Sequence, residues 1–171
     1  MSVSLFSLQV SAQDAALEGL LSELSSAQED DARRIAAEIE LKWAQSGSST
    51  ADLLLKRGND ALEIGEIGRA IEHYTALTDH APEFAEGWHR RAIAYAEAEL
   101  FGPAIADLEH AIAIEPRHYN AIASLGGILQ RVNRYDMARE AYQQVLLIHP
   151  HHKDVQAALE AVELEIGGSE L

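Results

Sequence analysis

Hydrophobic residues recur every three or four positions along nearly the whole chain, the spacing that places them on one face of an α-helix. A first stripe predicts a helix over roughly 12–25 and contains Leu17, Leu20, Leu21 and Leu24. A second stripe predicts a helix over roughly 27–45 and contains Ala32, Ile35, Ala36, Ile39 and Trp43. No segment alternates polar and apolar residues with a period of two, so the pattern predicts no β-strands.

Serine residues followed by an acidic residue three positions later mark the predicted helix starts, because such pairs can satisfy the free N–H groups of a first turn. The pairs are Ser11–Asp14, Ser26–Glu29 and Ser49–Asp52. Small polar residues at 46–50 predict a helix stop and a short linker. We therefore expect residues 13–50 to form an N-terminal helix pair followed by a linker.

A fixed period of 34 residues governs the rest of the chain. It is carried by three sets of residues in the same register: Pro82, Pro116 and Pro150; Ala70, Ala104 and Ala138; and Gly58, Ala92 and Gly126. A period of this length indicates stacked helix–turn–helix units. We place these units at 51–84, 85–118 and 119–152. A last amphipathic helix, 153–166, carries polar residues on its outer face and would cap the stack.

Numbered from the first residue of each unit, the register resembles the tetratricopeptide repeat (TPR) family, which has large residues at positions 4, 11 and 24, small ones at 8 and 20, and proline at 32. The positions for large residues hold Leu54, Trp88 and Ile122; Ala61, Tyr95 and Leu129; and Tyr74, Leu108 and Tyr142. The chain departs from the pattern with Arg57 and Arg91 at position 7 and Leu77 at position 27. Segments 39–43, 46–54 and 86–91 are also similar to a group of small proteobacterial TPR proteins of undefined function.

The resemblance implies an all-α fold, a right-handed α-α superhelix. It would consist of three TPR helix pairs, a C-terminal capping helix, and an N-terminal helix pair that we expect to stack on the first repeat. In the family, positions 2, 5, 9, 12 and 13 of the first helices face a concave groove. Those positions other than Ala96, with Arg90 as a further donor, give Asp52, Leu55, Asn59, Leu62, Glu63, Glu86, His89, Arg90, Ile93, Glu97, Asn120, Ala123, Gly127, Gln130 and Arg131 as the candidate peptide-binding groove.

The function implied by the resemblance is that of a non-enzymatic scaffold or adaptor, which binds a peptide or helix of another protein in its groove. One TPR subclass clamps the terminal carboxylate of chaperones with Lys and Arg. This chain resembles that subclass at Asn59, but it has Leu55, Asn120 and Ser124 where the basic residues would stand. We therefore expect a mixed groove, with Leu62 and Ile93 as apolar contacts, rather than a carboxylate clamp.

Charge and composition narrow the classes of partner and chemistry. The chain has 13 Lys and Arg against 28 Asp and Glu, a net charge of −15, which disfavours nucleic acid. It has no Cys, which excludes disulfides, thiolate catalysis and Cys-based zinc sites. No run reaches the 18 apolar residues typical of a membrane span, and no phosphate-binding loop or nucleophile motif is present. We expect no catalytic residues, no cofactor and no membrane insertion.

Two alternatives to the adaptor function remain open. The first is a self-associating structural module, which is the less favoured because the polar residues of 153–166 oppose stacking at that end. The second, weaker alternative is metal binding at the cluster His149, His151 and His152, since imidazoles suit Zn, Cu or Ni. The adjacent Arg90 and Arg91 are the one local basic spot, and we expect them to form salt bridges on an otherwise acidic surface.

The first twelve residues are uncharged and fairly apolar, and Val10-Ser11-Ala12 has the small-residue pattern of a signal-peptidase site. We interpret residues 1–12 either as the remnant of a signal peptide or as a frayed or packed terminal segment. We expect a soluble protein, periplasmic in the first case and cytoplasmic in the second.

Overall fold

The computed structural model describes residues 3–168, with side chains from residue 15 onward. Within that range the chain forms nine α-helices and no strand, in agreement with the all-α prediction. The helices are α1 Val3–Ser26, α2 Glu29–Trp43, α3 Ser49–Glu63, α4 Ile67–His80, α5 Ala85–Glu97, α6 Phe101–Ile114, α7 Tyr119–Arg131, α8 Tyr135–Ile148 and α9 Lys153–Gly168. The pairs α3–α4, α5–α6 and α7–α8 occupy the three predicted repeats.

The turn inside each repeat reverses the chain in the same way. The fifteenth residue of each unit is left-handed, with φ of 76° at Gly65 and 59° at both Glu99 and Asn133. The backbone N–H of the next residue then donates to the carbonyl five residues back, near the end of the first helix, as in Arg134 N to Leu129 O at 2.8 Å. This closure satisfies the last carbonyls of the first helix and starts the second helix antiparallel to it.

Close approach of the two helices depends on the small residues at positions 8 and 20. Ala70, Ala104 and Ala138 are fully buried. A Cβ on Gly126 would lie 2.6 Å from Tyr142 Cε1, and a Cβ on Gly58 would overlap the Tyr74 ring even more severely. Each tyrosine ring therefore lies directly on glycine backbone, a position that no larger residue can share.

Each first helix also packs back onto the repeat before it. Ala94 of α5 is buried in the core of α3 and α4, while Ala121 and Ile128 of α7 are buried in the core of α5 and α6. Gly87 faces Leu77 of α4 so closely that a Cβ there would lie 3.1 Å from Leu77 Cγ. The repeats are thereby joined through positions 3 and 10 of the first helix.

The N-terminal helix pair does not stack on the first repeat, and that expectation was wrong. The buried stripes of α1 and α2 share one core with residues of α7, α8 and α9. Glu18 pairs with Arg117, and Lys153 Nζ lies 2.6 Å from Glu29 Oε1. The stripe of α2 ends in Trp43, whose ring stacks on His118 at 4.1 Å. The pair is therefore held across the second and third repeats, which offer it an aromatic surface.

The predicted helix starts also need correction. Helix α1 begins at Val3, so Ser11 lies inside it, and residues 3–12 contain no Pro or Gly that would interrupt a helix. Ser26 ends α1 by bonding to Glu23 O, and Ser48, not Ser49, accepts from Ala51 N at the start of α3. Residues 1–2 lie outside the described part of the chain, and the signal-peptide interpretation of 1–12 stays a prediction.

No helix within residues 3–168 combines the length and the continuous hydrophobicity needed to cross a bilayer.

A cavity of about 300 Å³ lies between α2 and the turn that joins α8 to α9. Its lining includes Glu29, Arg33, Glu40, Tyr119, His149, His151, His152 and Lys153. His149 is buried beside Tyr119 and His152, with ring centroids 5.4 and 5.2 Å away. Burial, together with the neighbouring His152 and His151, lowers the pKa of His149 to about 4. His149 is therefore neutral at pH 7.

We expect Gly58→Ala to lower the free energy of unfolding by about 1–3 kcal/mol, because the new methyl group displaces the Tyr74 ring. Gly19→Ala in α1 is the matched control, since a Cβ at Gly19 meets nothing within 4 Å. That control should be neutral or stabilising by up to about 1 kcal/mol, because alanine favours helix. Urea unfolding followed by circular dichroism measures both. Equal effects of the two substitutions would contradict the packing argument.

We expect stability to fall as the pH drops from about 6.5 toward 4, because His149 binds a proton in the unfolded chain over that window but not in the folded one. The contribution of neutral His149 to the free energy of unfolding is complete above the pKa of the unfolded chain, and it amounts to at most about 3 kcal/mol. His149→Leu should flatten the pH profile of the unfolding free energy, whereas His80→Leu, at an exposed position, should not. An unchanged slope in His149→Leu would refute the assignment.

Candidate functional site

The candidate groove is formed by α3, α5 and α7, the first helices of the three repeats. Of the fifteen predicted groove residues, twelve remain at least partly exposed. Leu55, Glu86 and His89 are buried, with 6%, 5% and 4% of their surface exposed. These three cannot contact a bound peptide directly, and the expectation that they line the open groove is corrected to a role beneath it.

Two groove amides are oriented by tyrosines from the second helices. Tyr74 Oη donates to Asn59 Oδ1 at 2.7 Å, and Tyr142 Oη donates to Gln130 Oε1 at 2.9 Å. Each bond fixes the orientation of the amide, and among the described residues neither NH₂ group donates to another side chain, so the NH₂ group is the donor left to a ligand. The same tyrosine rings cover Gly58 and Gly126, so the packing of the repeat fixes the direction of its groove donor.

A buried polar network lies at the junction of the second and third repeats. Glu86 Oε2 accepts hydrogen bonds from His89 Nδ1 and His118 Nε2, both at 3.0 Å. Its other oxygen, Oε1, accepts from Arg90 Nε. His89 Nε2 lies 3.2 Å from Ser124 Oγ of α7. The Glu86 carboxylate thus joins α5 to His118 at the start of α7, and His89 adds a second contact to α7.

The protonation states in this network follow from its geometry. His118 Nδ1 accepts from Ala121 N at 3.2 Å and so caps α7, which places the proton of the neutral ring on Nε2. Burial would raise the pKa of Glu86, but the hydrogen bonds from His118 and His89 and the charge of Arg90 hold the pKa well below its usual range. Burial also lowers the pKa of His89. Glu86 is therefore the ionised centre of the network.

Glu86, His89 and His118 also form the one group of three metal-capable residues, among those described, whose ligand atoms lie within 4.8 Å of one another. A metal on His118 Nε2 would require a proton on Nδ1, but Nδ1 already accepts the Ala121 N–H. Arg90 occupies the second carboxylate oxygen. The geometry favours a satisfied hydrogen-bond network over a metal site.

The histidines suggested as a lesser metal site do not converge. His149 is buried against Tyr119, and His151 Nε2 lies 3.1 Å from Ala27 O of the loop between α1 and α2. These residues, with His152, instead form part of the surface on which the N-terminal helix pair rests. Metal binding there is not supported by the arrangement of the described residues.

Both arginines of the local basic spot form salt bridges, as predicted. Arg90 pairs with Glu86, and Arg91 grips Asp107 through Nε and Nη2 at 2.7 and 2.9 Å. Arg91 Nη1 also donates to Thr78 Oγ1 of α4 at 2.9 Å. Position 7 of the second repeat therefore carries an ion pair within that repeat, and its arginine also bonds the first repeat through Thr78.

The positions of a carboxylate clamp hold no free cation. Leu55 is buried, and Ser124 contacts His89. Asn120 Nδ2 donates to Glu40 Oε1 of α2 at 3.2 Å, so the N-terminal helix pair reaches the edge of the groove. Arg90, the other candidate donor, is engaged by Glu86. The expectation of a mixed groove stays a prediction.

Sequence reasoning missed the role of His118 and Trp43. His118 had no predicted role, yet it caps α7, bonds Glu86 and stacks on Trp43. Its position directly before the first residue of a repeat was the available signal, because side-chain acceptors at that point satisfy the first N–H groups of a helix. Trp43 was recognised as a packing residue, but no sequence pattern shows what it packs against.

Comparison with known proteins shows which proteins the chain is similar to. The chain is 29% identical over 154 residues to a TPR repeat-containing protein of Rhizobium etli, covering 90% of this chain and 76% of that protein. It is also 29% identical over 119 residues to small glutamine-rich tetratricopeptide repeat-containing protein 2 of Mycosarcoma maydis. This second match covers 70% of the chain but only 34% of the fungal protein.

Solved structures give the same picture. The Sgt2 TPR domain from Aspergillus fumigatus superposes with a TM-score of 0.69 and 26% identity, covering 72% of this chain and 83% of that one. The first TPR of Spaghetti (RPAP3), bound to the HSP90 peptide SRMEEVD, superposes with a TM-score of 0.68 and 24% identity, covering 70% of this chain and 95% of that one. This last likeness concerns the fold alone.

The tetratricopeptide repeat sequence model matches residues 119–152, the segment that holds α7 and α8. The repeat register, the glycine–tyrosine contacts, the nine-helix architecture of residues 3–168 and the similar proteins all agree. Residues 119–152 thus match a tetratricopeptide repeat, and the chain as a whole is similar to proteins that contain such repeats.

Proposed function

We propose that this protein is a protein-interaction adaptor that holds a peptide or helical segment of a partner in the groove of α3, α5 and α7. The observation that carries the proposal is the pair of tyrosine-held amides, Asn59 and Gln130. Most buried polar groups form hydrogen bonds inside the protein, whereas these NH₂ groups are oriented by the tyrosines and remain available to a ligand. Backbone carbonyls of a bound segment are suitable acceptors.

The groove combines these donors with apolar contacts. Leu62 and Ile93 are half-buried and lie on the groove faces of α3 and α5. Exposed Asp52, Glu63 and Glu97 border the same surface, while Arg131 stands at the equivalent place in the third repeat. The segment that fits this surface has apolar side chains and a basic residue toward the first two repeats.

One structural relative, the second TPR domain of human RPAP3, is 26% identical to this chain and was solved in complex with an HSP70 peptide, and the first TPR of Spaghetti (RPAP3) was solved with an HSP90 peptide. These relatives support a peptide-binding role of a general kind. The residues of this groove favour a segment bound along its length, because no unpaired cation stands at the terminal-carboxylate positions among the described residues. The partner is therefore recognised through side chains and backbone, not through a free C-terminus.

Site-specific photo-crosslinking tests where a partner binds. A benzophenone side chain at Ile93, in the groove, should form an adduct with a partner in an extract of the source cells. The same group at Glu109, exposed on α6, is the matched control and should not. Adducts at Glu109 without adducts at Ile93 would show that the partner binds outside the groove.

We expect Tyr74→Phe to weaken binding of the crosslinked segment about fivefold, the cost of about 1 kcal/mol for a lost hydrogen bond that orients Asn59. The ring remains, so the packing on Gly58 is retained. Tyr135→Phe removes a similar hydroxyl, which donates to Asn133 in a turn, and should leave binding unchanged. Fluorescence anisotropy measures both, and equal losses would contradict the role of the groove amide.

We expect the peptide SRMEEVD to bind no more tightly with a free carboxylate than with a C-terminal amide. The reason is that Leu55, Asn120 and Ser124 supply no charge to the carboxylate. Calorimetric titration with both peptides provides the measurement. A tenfold preference for the free acid would show that a carboxylate clamp forms after all.

A further inference from the structure

The outer face of α3 is equivalent to the face through which α5 packs on the preceding repeat. Among the described residues, no repeat packs on this face of α3. In the second repeat, positions 3, 7, 10 and 14 are Gly87, Arg91, Ala94 and Ala98, and three of them meet the preceding repeat. Gly87 faces Leu77, Arg91 bonds Thr78, and Ala94 lies in the core of α3 and α4. The same positions of the first repeat are Leu53, Arg57, Asp60 and Ile64.

These four side chains form one exposed stripe. At 3.6 residues per turn they lie within about 60° of the helix circumference, on the side turned away from the groove. Leu53 is 47% exposed and Ile64 is 70% exposed. The stripe is open because the N-terminal helix pair rests on the second and third repeats instead. A shallow cavity of about 360 Å³, bordered by Arg57, Ile64 and His73, continues the surface onto α4.

The charged residues of the stripe lack the ion pair that the equivalent arginine forms in the second repeat. Among the described residues Arg57 has no ion-pair partner, whereas Arg91, at the same position of the second repeat, forms an ion pair with Asp107. Position 23 of the first repeat holds His73 where the second has Asp107, so Arg57 lacks an internal carboxylate. Among the residues with described side chains, the ion-pair partner of Asp60 is the exposed Lys56, on the surface of α3 itself.

The order of residues along the stripe is self-complementary. If a second α3 helix lies antiparallel to the first, with a two-fold axis between residues 58 and 59, residue Arg57 falls opposite Asp60. The same register places Leu53 opposite Ile64 at both ends. An isologous contact therefore forms two ion pairs flanked by two apolar pairs, with every residue of the stripe used.

We propose that a second copy of this chain docks on this stripe and forms a two-fold symmetric dimer through α3. The contact involves one helix face, so it belongs to the small, reversible class of interfaces. A net charge of −15 on each chain opposes association, but at physiological salt the screening length of about 8 Å limits this repulsion. The dissociation constant should therefore lie between about 10 and 500 μM.

Sedimentation equilibrium of the full chain over that range, in 0.15 M salt, tests the proposal. The wild type should shift from 18.7 kDa toward twice that mass as the concentration rises. Arg57→Glu and Asp60→Arg should each weaken association at least tenfold, because each places like charges opposite one another. Ile64→Glu should do the same, while Leu147→Glu, at a residue of α8 that is 79% exposed, should have no effect.

The symmetry supplies a stricter test that misfolding cannot imitate. The double variant Arg57→Glu with Asp60→Arg should regain wild-type association, since both ion pairs are restored in reverse. An equimolar mixture of the two single variants should form a heterodimer more readily than either forms a homodimer. A wild type that stays at 18.7 kDa throughout, the result expected if a helix of another protein occupies the stripe, would overturn the proposal. So would a dimer indifferent to Arg57→Glu.

Discussion

Each repeat depends on the contact between a small residue of its first helix and the side chain that covers it from the second. Where the small residue is Gly58 or Gly126, the covering ring is Tyr74 or Tyr142, and the hydroxyl continues past the glycine to an amide at the groove surface. The ring of each tyrosine thus packs the two helices together, while its hydroxyl orients an amide for recognition. The second repeat lacks this coupling, because Ala92 faces Leu108 there, and its groove position 9 is the apolar Ile93.

The second repeat contributes a different constraint, the ionised carboxylate of Glu86. A buried charge is tolerated only when its oxygens are fully bonded, and removing one partner of such a group typically costs about 3–5 kcal/mol. Here the partners come from α5 and from His118, whose ring is in turn covered by Trp43 of α2. The network therefore couples the position of the N-terminal helix pair to the junction between the second and third repeats.

The sequence was sufficient for the repeat register, because a 34-residue period in Gly, Ala and Pro reflects packing inside each unit. It was insufficient for contacts between units. The stripe of α2 predicts a helix with a buried face, but amphipathicity does not say which surface covers that face, and Trp43 packs on His118 rather than on the first repeat. Glu86 and His89 were assigned to the groove from their family positions, and they are buried because His118 and Ser124 of the next repeat bond them. Such pairings join residues about 30 positions apart and leave no local pattern.

The two ends of the array differ in whether a further helix covers them. Helix α9 closes one end, burying Val155 and Val162 and turning acidic residues outward, whereas the displaced N-terminal pair leaves α3 uncovered at the other. On α3 the groove residues and the exposed stripe lie on different faces, so contact at one face leaves the other accessible. A dimer through the stripe would therefore carry two free grooves in one particle. A partner that presents its segment twice would then bind the second groove at a high effective local concentration, which strengthens binding beyond that of a single groove.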